Sequence, residues 1–323
     1  MVSMNSILIT GGAGFIGSNI AETLLSEGYR VIVLDDLSTG KTYNLQGFSD
    51  NKNFAFYQGS ILDRELLKRI IREHGVTHIS HQAARPSVAK SIQDPILTTE
   101  TNITGTVTLF HTAAELGCKR IVFASSSSVY GDTPELPKKE EMPFNPKSPY
   151  AVSKAAKEMF ARTFTTLTPL EIVGLRYFNV YGRRQDPNSD YAAVIPKFIA
   201  KSLRNEPIPI EGDGLQTRDF TYIDDVIKAN MKALTAEGVS GMVFNIAYGS
   251  RISVLDLARE IIKITSSRSV ITHGQQRPGD VRDSLASIER AKKYLGHQPE
   301  FNISKGLDKT IEWYRNALIL VAQ

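Results

Sequence analysis

A single cysteine in 323 residues, Cys118, excludes an intrachain disulfide and a thiolate-rich metal site. It reads as a small residue ahead of a strand. None of the six histidines stands in a metal-ligand pattern, so no metal is expected. Long apolar runs are absent, and the chain enters "SILITGGAG" without a basic region, an apolar stretch and a small-residue cleavage site. This reads as a cytoplasmic protein that does not span a membrane. Charge of one sign is also scarce: 38 Lys and Arg against 34 Asp and Glu give +4, and the cations are dispersed among acids. No nucleic-acid footprint results. The run Lys138, Lys139, Glu140, Glu141 in a Pro-rich loop reads as a solvated face. There is no internal repeat.

What is present is an ordinary hydrophobic fraction, 41%, in a chain long enough for one large or two modest domains. Short β-branched runs at 6–10, 30–34, 53–57, 76–80, 120–124 and 171–176 alternate with helical patterns near 15–27, 63–74, 95–116 and 149–166. That rhythm predicts an α/β fold of Rossmann type, a doubly wound parallel sheet with crossover helices. After Gly182 the composition becomes loop-rich, which predicts a smaller C-terminal α/β substrate lobe. The boundaries expected are 1–180 for the dinucleotide domain, with 224–247 returning to its sheet, and 181–223 plus 248–323 for the lobe.

The first strand runs into "LITGGAGFIGSNIAETLL", with Gly11, Gly14 and Gly17 three apart. Glycines there permit a tight turn, close approach of backbone N–H groups to a pyrophosphate, and close helix packing. Asp35 and Asp36 end the second strand about 20 residues on, where a carboxylate accepts from an adenosine ribose. No arginine directly follows to receive a 2′-phosphate, although Lys41 is near. NAD is favoured over NADP.

"SPYAVSK" sets Tyr150 and Lys154 four apart, with Ser148 as N-cap and Pro149 in the first helical turn. Such pairs also occur on helices without chemistry. A tyrosine titrates near 10, so a base at neutral pH must be brought down by about three pH units, roughly 4 kcal/mol, by cationic neighbours. "FASSSSVYG" places serines at a strand end, where open α/β sheets bind ligands. His78 and His81 lie in a strand and read as satisfied core histidines.

Together the glycine motif, "FASSSSVYG", "SPYAVSK", "LRYFNVYG" and "RPGDVRDS" make the chain resemble the extended short-chain dehydrogenase/reductase family, specifically its nucleotide-sugar epimerases. The likeness covers nearly the whole chain. "GRRQDPNSDYAAVIP" is most similar to UDP-N-acetylglucosamine 4-epimerases. The resemblance implies that Tyr150 is the base, that Lys154 holds the nicotinamide ribose and lowers the tyrosine pKa, and that Ser126 meets the reacting sugar hydroxyl. Tyr150 would take the O4 proton while a hydride passes from C4 to bound NAD, and return of that hydride to the other face of the 4-keto sugar inverts C4.

The same resemblance places further residues around NAD. Phe15 and Ile16 follow the glycine turn, and Ser38, Thr39 and Gly40 follow the acidic pair. Ser60 and Ile61 are assigned near adenine, where relatives usually carry an aspartate in place of Ser60, so weaker cofactor hold is expected. Gln82, Ala83, Ala84, Ala124, Ser125 and Val180 are assigned beside the dinucleotide, as are Asn102, which by itself reads as a cap or a buried polar link, and Tyr177 and Phe178, which by themselves read as core aromatics. For the nucleotide sugar it implies Ser87, Ser127, Asn179, Ala193, Val194 and Arg218. Arg277 and Asp280 complete that set, gripping diphosphate and uridine ribose. Ser284 stands where relatives confined to UDP-glucose and UDP-galactose carry a tyrosine, which leaves room for an acetamido group.

Three alternatives accompany this reading. A UDP-uronate 4-epimerase would use Arg85 or Arg183 on the carboxylate. A dehydratase or decarboxylase would divert the ketone, although Ser127 and Ser128 follow Ser126 where dehydratases carry acids. A non-catalytic NAD sensor would keep the fold without turnover. The helices near 95–116 and 149–166 resemble those that pair in homodimers of the family.

Overall fold

The computed structural model of the chain describes residues 6–187, 193–275 and 282–321. In chain order the first half comprises β1 (Ser6–Thr10), α1 (Phe15–Ser26), β2 (Arg30–Asp35), β3 (Phe54–Gln58), α2 (Arg64–His74), β4 (Val76–His81), α3 (Val88–Gln93), α4 (Pro95–Thr99), α5 (Gly105–Glu115), β5 (Arg120–Ser126), α6 (Pro149–Leu167) and β6 (Glu171–Tyr177). Then come β7 (Val180–Tyr181), α7 (Val194–Leu203), β8 (Ile208–Glu211), β9 (Thr217–Arg218), β10 (Thr221–Tyr222), α8 (Ile223–Thr235), β11 (Val243–Ile246), β12 (Ile252–Ser253), α9 (Val254–Thr265), β13 (Ile271–Gly274), α10 (Glu289–Leu295) and α11 (Ile303–Val321).

Seven parallel strands form one sheet in the order β11-β6-β5-β4-β1-β2-β3. Helices cover both faces, so the strands are apolar at nearly every position. Alternate residues feed opposite cores: Ile7, Ile9, Val31 and Val33 enter one, and Leu8, Ile32 and Leu34 the other. The first core continues without a break into Ile195, Phe198, Leu257, Ile261 and Leu307 of the C-terminal helices, so the smaller lobe is packed onto the sheet. Strand order reverses between β1 and β4, and ligands of such sheets bind at the carboxyl ends beside that switch.

Local chemistry sets the helix ends. The Asp63 carboxylate accepts from Leu66 N at 2.9 Å to start α2, and Gly75 ends it at φ 56°. Ser148 Oγ accepts from Ala151 N at 3.2 Å to start α6, with Pro149 next.

Two expectations are corrected. The helix anticipated over 95–116 is α4, a π turn over Glu100–Thr104, and α5. The turn sets Asn102 inward, where it bonds Arg85 and Ser153. Nor is the Lys138–Glu141 run a solvated face. Lys138 and Glu140 are buried while Lys139 and Glu141 are exposed, the alternation of an extended segment. Lys138 Nζ donates to the Thr133 carbonyl and hydroxyl, and Glu140 Oε1 accepts from Asn245 N at 2.8 Å.

Candidate active site

The glycine turn is as crowded as its motif predicts. Gly11 has φ 69°, and a Cβ there would lie 2.6 Å from Ala83 N. A Cβ on Gly17 would lie 2.3 Å from the Gly11 carbonyl oxygen. Gly14 is the N-cap of α1 and supplies no capping side chain, so the first N–H groups of a twelve-residue helix face the cavity. Asp35 is 7% exposed, accepts from Ala13 N at 2.9 Å and Leu37 N at 2.8 Å, and lies against Gly40. Burial raises its pKa. Asp36 is less buried and accepts from Ser38 N at 2.9 Å.

A cavity of about 410 Å³ runs from these carboxylates across β1 and β4 to the ends of β5 and β6. It gathers nearly all of the anticipated cofactor positions: Gly11, Gly14, Phe15, Ile16 and Gly17 at the turn, Asp35, Asp36, Ser38 and Thr39 after β2, and Ser60 and Ile61 after β3. Gln82, Ala83 and Ala84 form its floor, and Ala124, Ser125, Tyr177 and Val180 its far wall. Gly40, Asn102 and Phe178 do not line it. Gly40 backs Asp35, Asn102 is a fully buried link pinning the Arg85 backbone, and Phe178 packs against Tyr130. Leu34, Gly59, Pro86, Thr101 and Gln185 line it as well, outside the positions that the motifs mark. The open helix N-terminus, close glycines and terminal carboxylates suit a dinucleotide.

Ser126, Tyr150 and Lys154 meet at the β5 end of this cavity. The Ser126 side chain stands beside the Tyr150 phenol and acts to lower its pKa, and Ser126 Oγ accepts from Ser128 N at 3.1 Å. Lys154 Nζ donates to the Ala124 carbonyl at 2.8 Å and lies 5.5 Å from the Tyr150 ring centroid. Burial brings Lys154 down to about 8, opposed by Glu158. Burial raises Tyr150, opposed only by the neighbouring Ser126 side chain. In the protein alone, therefore, Tyr150 stays above an ordinary tyrosine because burial penalises the phenolate, and Lys154 is not among the groups that shift it.

A second cavity, about 290 Å³, shares Asn179 and Val180 with the first and is lined also by Ala193, Val194, Glu211, Gln216 and Arg218. Asn179, at φ 35°, donates to the Asp219 carbonyl at 2.9 Å and to Ser284 Oγ at 3.2 Å. Ser284 Oγ also accepts from Asp219 N at 3.3 Å. Arg218 donates to the carbonyls of Thr217 and Arg282. Arg277 and Asp280 lie outside the described residues. Ser87 caps α3 through Lys90 N, and Ser127 opens the short turn after β5; neither lines these cavities. Arg183 is committed to Asp224 and Glu22. Arg85 lies between two cavity residues with its Nε buried and unbonded.

Behind β5 lies a buried network that no motif announced. Glu158 is gripped by Arg176 at 2.6 Å and by the Ser125 hydroxyl. Among the described residues no group of three metal-ligating side chains occurs, and no helix is long and apolar enough to cross a membrane.

A parallel sheet with an anion-ready glycine turn and a Ser-Tyr-Lys cluster in one cavity defines a dinucleotide-dependent α/β enzyme. Residues 7–247 match the model of the NAD dependent epimerase/dehydratase family, and the chain belongs to that family. It is 37% identical to the UDP-glucose 4-epimerase of Mycolicibacterium smegmatis over 96% of this chain and 98% of that one. Its fold matches the UDP-N-acetylglucosamine 4-epimerase of Methanobrevibacter ruminantium, seen with UDP-N-acetylmuramic acid, at TM-score 0.92, 35% identity and 97% and 99% coverage. The UDP-glucuronic acid 4-epimerase of Bacillus cereus, in complex with UDP-glucuronic acid and NAD, matches at TM-score 0.89, 32% identity and 97% and 99% coverage.

Proposed function

We propose that the protein interconverts UDP-N-acetylglucosamine and UDP-N-acetylgalactosamine by inverting C4, with UDP-glucose and UDP-galactose as further substrates. The observation that carries the choice of epimerase is the cavity's acid content. Its only carboxylates among the described residues are Asp35 and Asp36, at the end of β2, three strands from β5. Dehydration needs further acid/base groups beside the ketone to move the C5 proton and expel water. Around Ser126 and Tyr150 the lining offers hydroxyls, amides and one lysine. One proton carrier suffices for epimerisation.

NAD, when bound, supplies a reversible hydride acceptor for C4. Tyr150 takes the O4 proton and returns it, Ser126 holds the same hydroxyl, and Lys154 anchors the nicotinamide ribose. The charge missing from the Tyr150 environment is the positive nicotinamide ring's to supply. Arg218, with Arg277 and Asp280, grips the nucleotide, leaving the sugar room to present either face. The short Ser284 side chain, tied back to Asn179 and Asp219 N, supports an acetamido substituent at C2. Homodimerisation through α4 and α6 is supported by Ile96 (72% exposed), Met159 (62%) and Leu167 (76%).

The test is incubation of the purified protein with UDP-N-acetylglucosamine and no added cofactor, followed by chromatography. Formation of UDP-N-acetylgalactosamine is expected. Conversion of UDP-glucuronate alone would move the substrate to the uronates, and inertness toward every nucleotide sugar with NAD added would overturn the catalytic reading.

A further inference from the structure

Two lysines on α6 end in one interior, Lys154 3% exposed and Lys157 1% exposed. Lys154 has the acceptors an ammonium needs: the Ala124 carbonyl and, nearby, the Glu158 carboxylate. Among the described residues Lys157 has no carboxylate partner. Its Nζ lies 3.0 Å from His81 Nε2, and that ring nitrogen is also 3.0 Å from Thr106 Oγ1.

Hydrogen counting fixes the polarity of this cluster. The Thr106 hydroxyl donates to the Asn102 carbonyl at 2.6 Å, so its contact with His81 Nε2 requires the ring N–H at Nε2. Nδ1 is then bare and accepts from Thr10 Oγ1 at 2.7 Å, while Thr10 Oγ1 accepts from Ala83 N at 3.5 Å. The Nε2 hydrogen is shared between Thr106 Oγ1 and Lys157 Nζ, each at 3.0 Å. Lys157 Nζ meets an N–H, so only its lone pair fits there. The opposite polarity, an ammonium donating to a bare Nε2, would leave the Thr10 hydroxyl hydrogen without a recorded acceptor.

We propose that Lys157 is an uncharged amine, a positioning residue that leaves Lys154 as the single ammonium beneath the cavity. Its role is electrostatic and indirect: a second buried cation there would push Lys154 toward losing its proton and with it the charge directed at cofactor and tyrosine. Burial first, and Lys154 second, hold the Lys157 amine well below an ordinary lysine. Burial first, with the Lys154 ammonium behind it, holds His81 neutral. The groups facing this interior are His81 from β4, Lys154 and Glu158 from α6 and Arg176 from β6, the last paired with Glu158; α5 and the π turn present Thr106 and Asn102. The assignment holds whichever nucleotide sugar is turned over.

Lys157→Met tests it. An unfolded lysine carries a proton that the native amine lacks, so falling pH favours the unfolded wild type. Relative to Lys157→Met, the wild-type folding constant is expected to fall about tenfold per pH unit from pH 9 to 7 in denaturant titrations of the protein as purified. A pH-independent ratio would overturn the charge assignment. Should the variant not fold, carbon-13 NMR of wild-type lysine side chains at pH 7 decides: one amine in the neutral form is expected, and ammonium throughout would contradict it. The positioning role has its own readout, the pH profile of turnover. The acid-side midpoint is expected to move to lower pH in Lys157→Met; an unmoved midpoint would leave Lys157 with packing alone.

Discussion

The two cavities that meet at Asn179 are built in different ways. The dinucleotide cavity is made largely of backbone and small side chains at strand ends, each supplied by a short contiguous motif. The second has no such motif: Asn179, on its wall, is held from outside the lining by Asp219 and Ser284, bonded across 40 and 105 residues. Both need the folded sheet, but the pieces of the first are recognisable as local motifs and the bonds that hold Asn179 are not. On the proposed reading, the chemistry sits in the first cavity and substrate choice beside the second, where long-range contacts can be exchanged.

Substitutions at the motif end should have the largest effects. Tyr150→Phe removes the proton carrier and should reduce kcat by about 10³-fold, while the protein still purifies with NAD. Equal loss of NAD would point to a binding role instead. Gly17→Val places side-chain atoms against the Gly11 carbonyl, already 2.3 Å from a Cβ, and should yield protein free of NAD. Absorbance of the denatured supernatant reads this.

At the packing end the effects should be selective. Ser284→Tyr should lower turnover of the acetylated sugar about 10- to 200-fold and spare UDP-glucose, measured as the ratio of the two kcat/KM values. Equal loss on both would remove the gate.

The network behind β5 gives a smaller, pH-dependent effect. Lys154 is brought down to about 8, so the cofactor-free protein should lose affinity for NAD as pH rises through that value and keep it below. The sign follows because binding uses the ammonium. Glu158 opposes the lowering, so Glu158→Gln should shift the midpoint downward in NAD titrations by calorimetry. An unchanged midpoint would sever Glu158 from Lys154.

The sequence made the sheet, the glycine turn and the Ser126, Tyr150 and Lys154 cluster legible because each rests on periodicity or on residues a few positions apart. Phe178 and Asn102 read as cofactor contacts but face the interior, since a motif does not say which face of its backbone a side chain takes. The Lys138–Glu141 run was misleading for a similar reason: charge alone does not reveal an extended segment that turns every second residue inward. Glu158, Arg176, Lys157 and His81 carried no recognisable spacing, because their partners come from β4, β5 and β6 and meet only once the sheet has formed.

The most direct test of the central claim, one proton carrier and no second acid or base at the ketone, is turnover in deuterium oxide. Mass and NMR analysis of the product and recovered substrate should show no deuterium on carbon, since the hydride leaves and returns at C4 while only hydroxyl protons exchange. Deuterium at C5 would reveal a base acting there and would contradict the account.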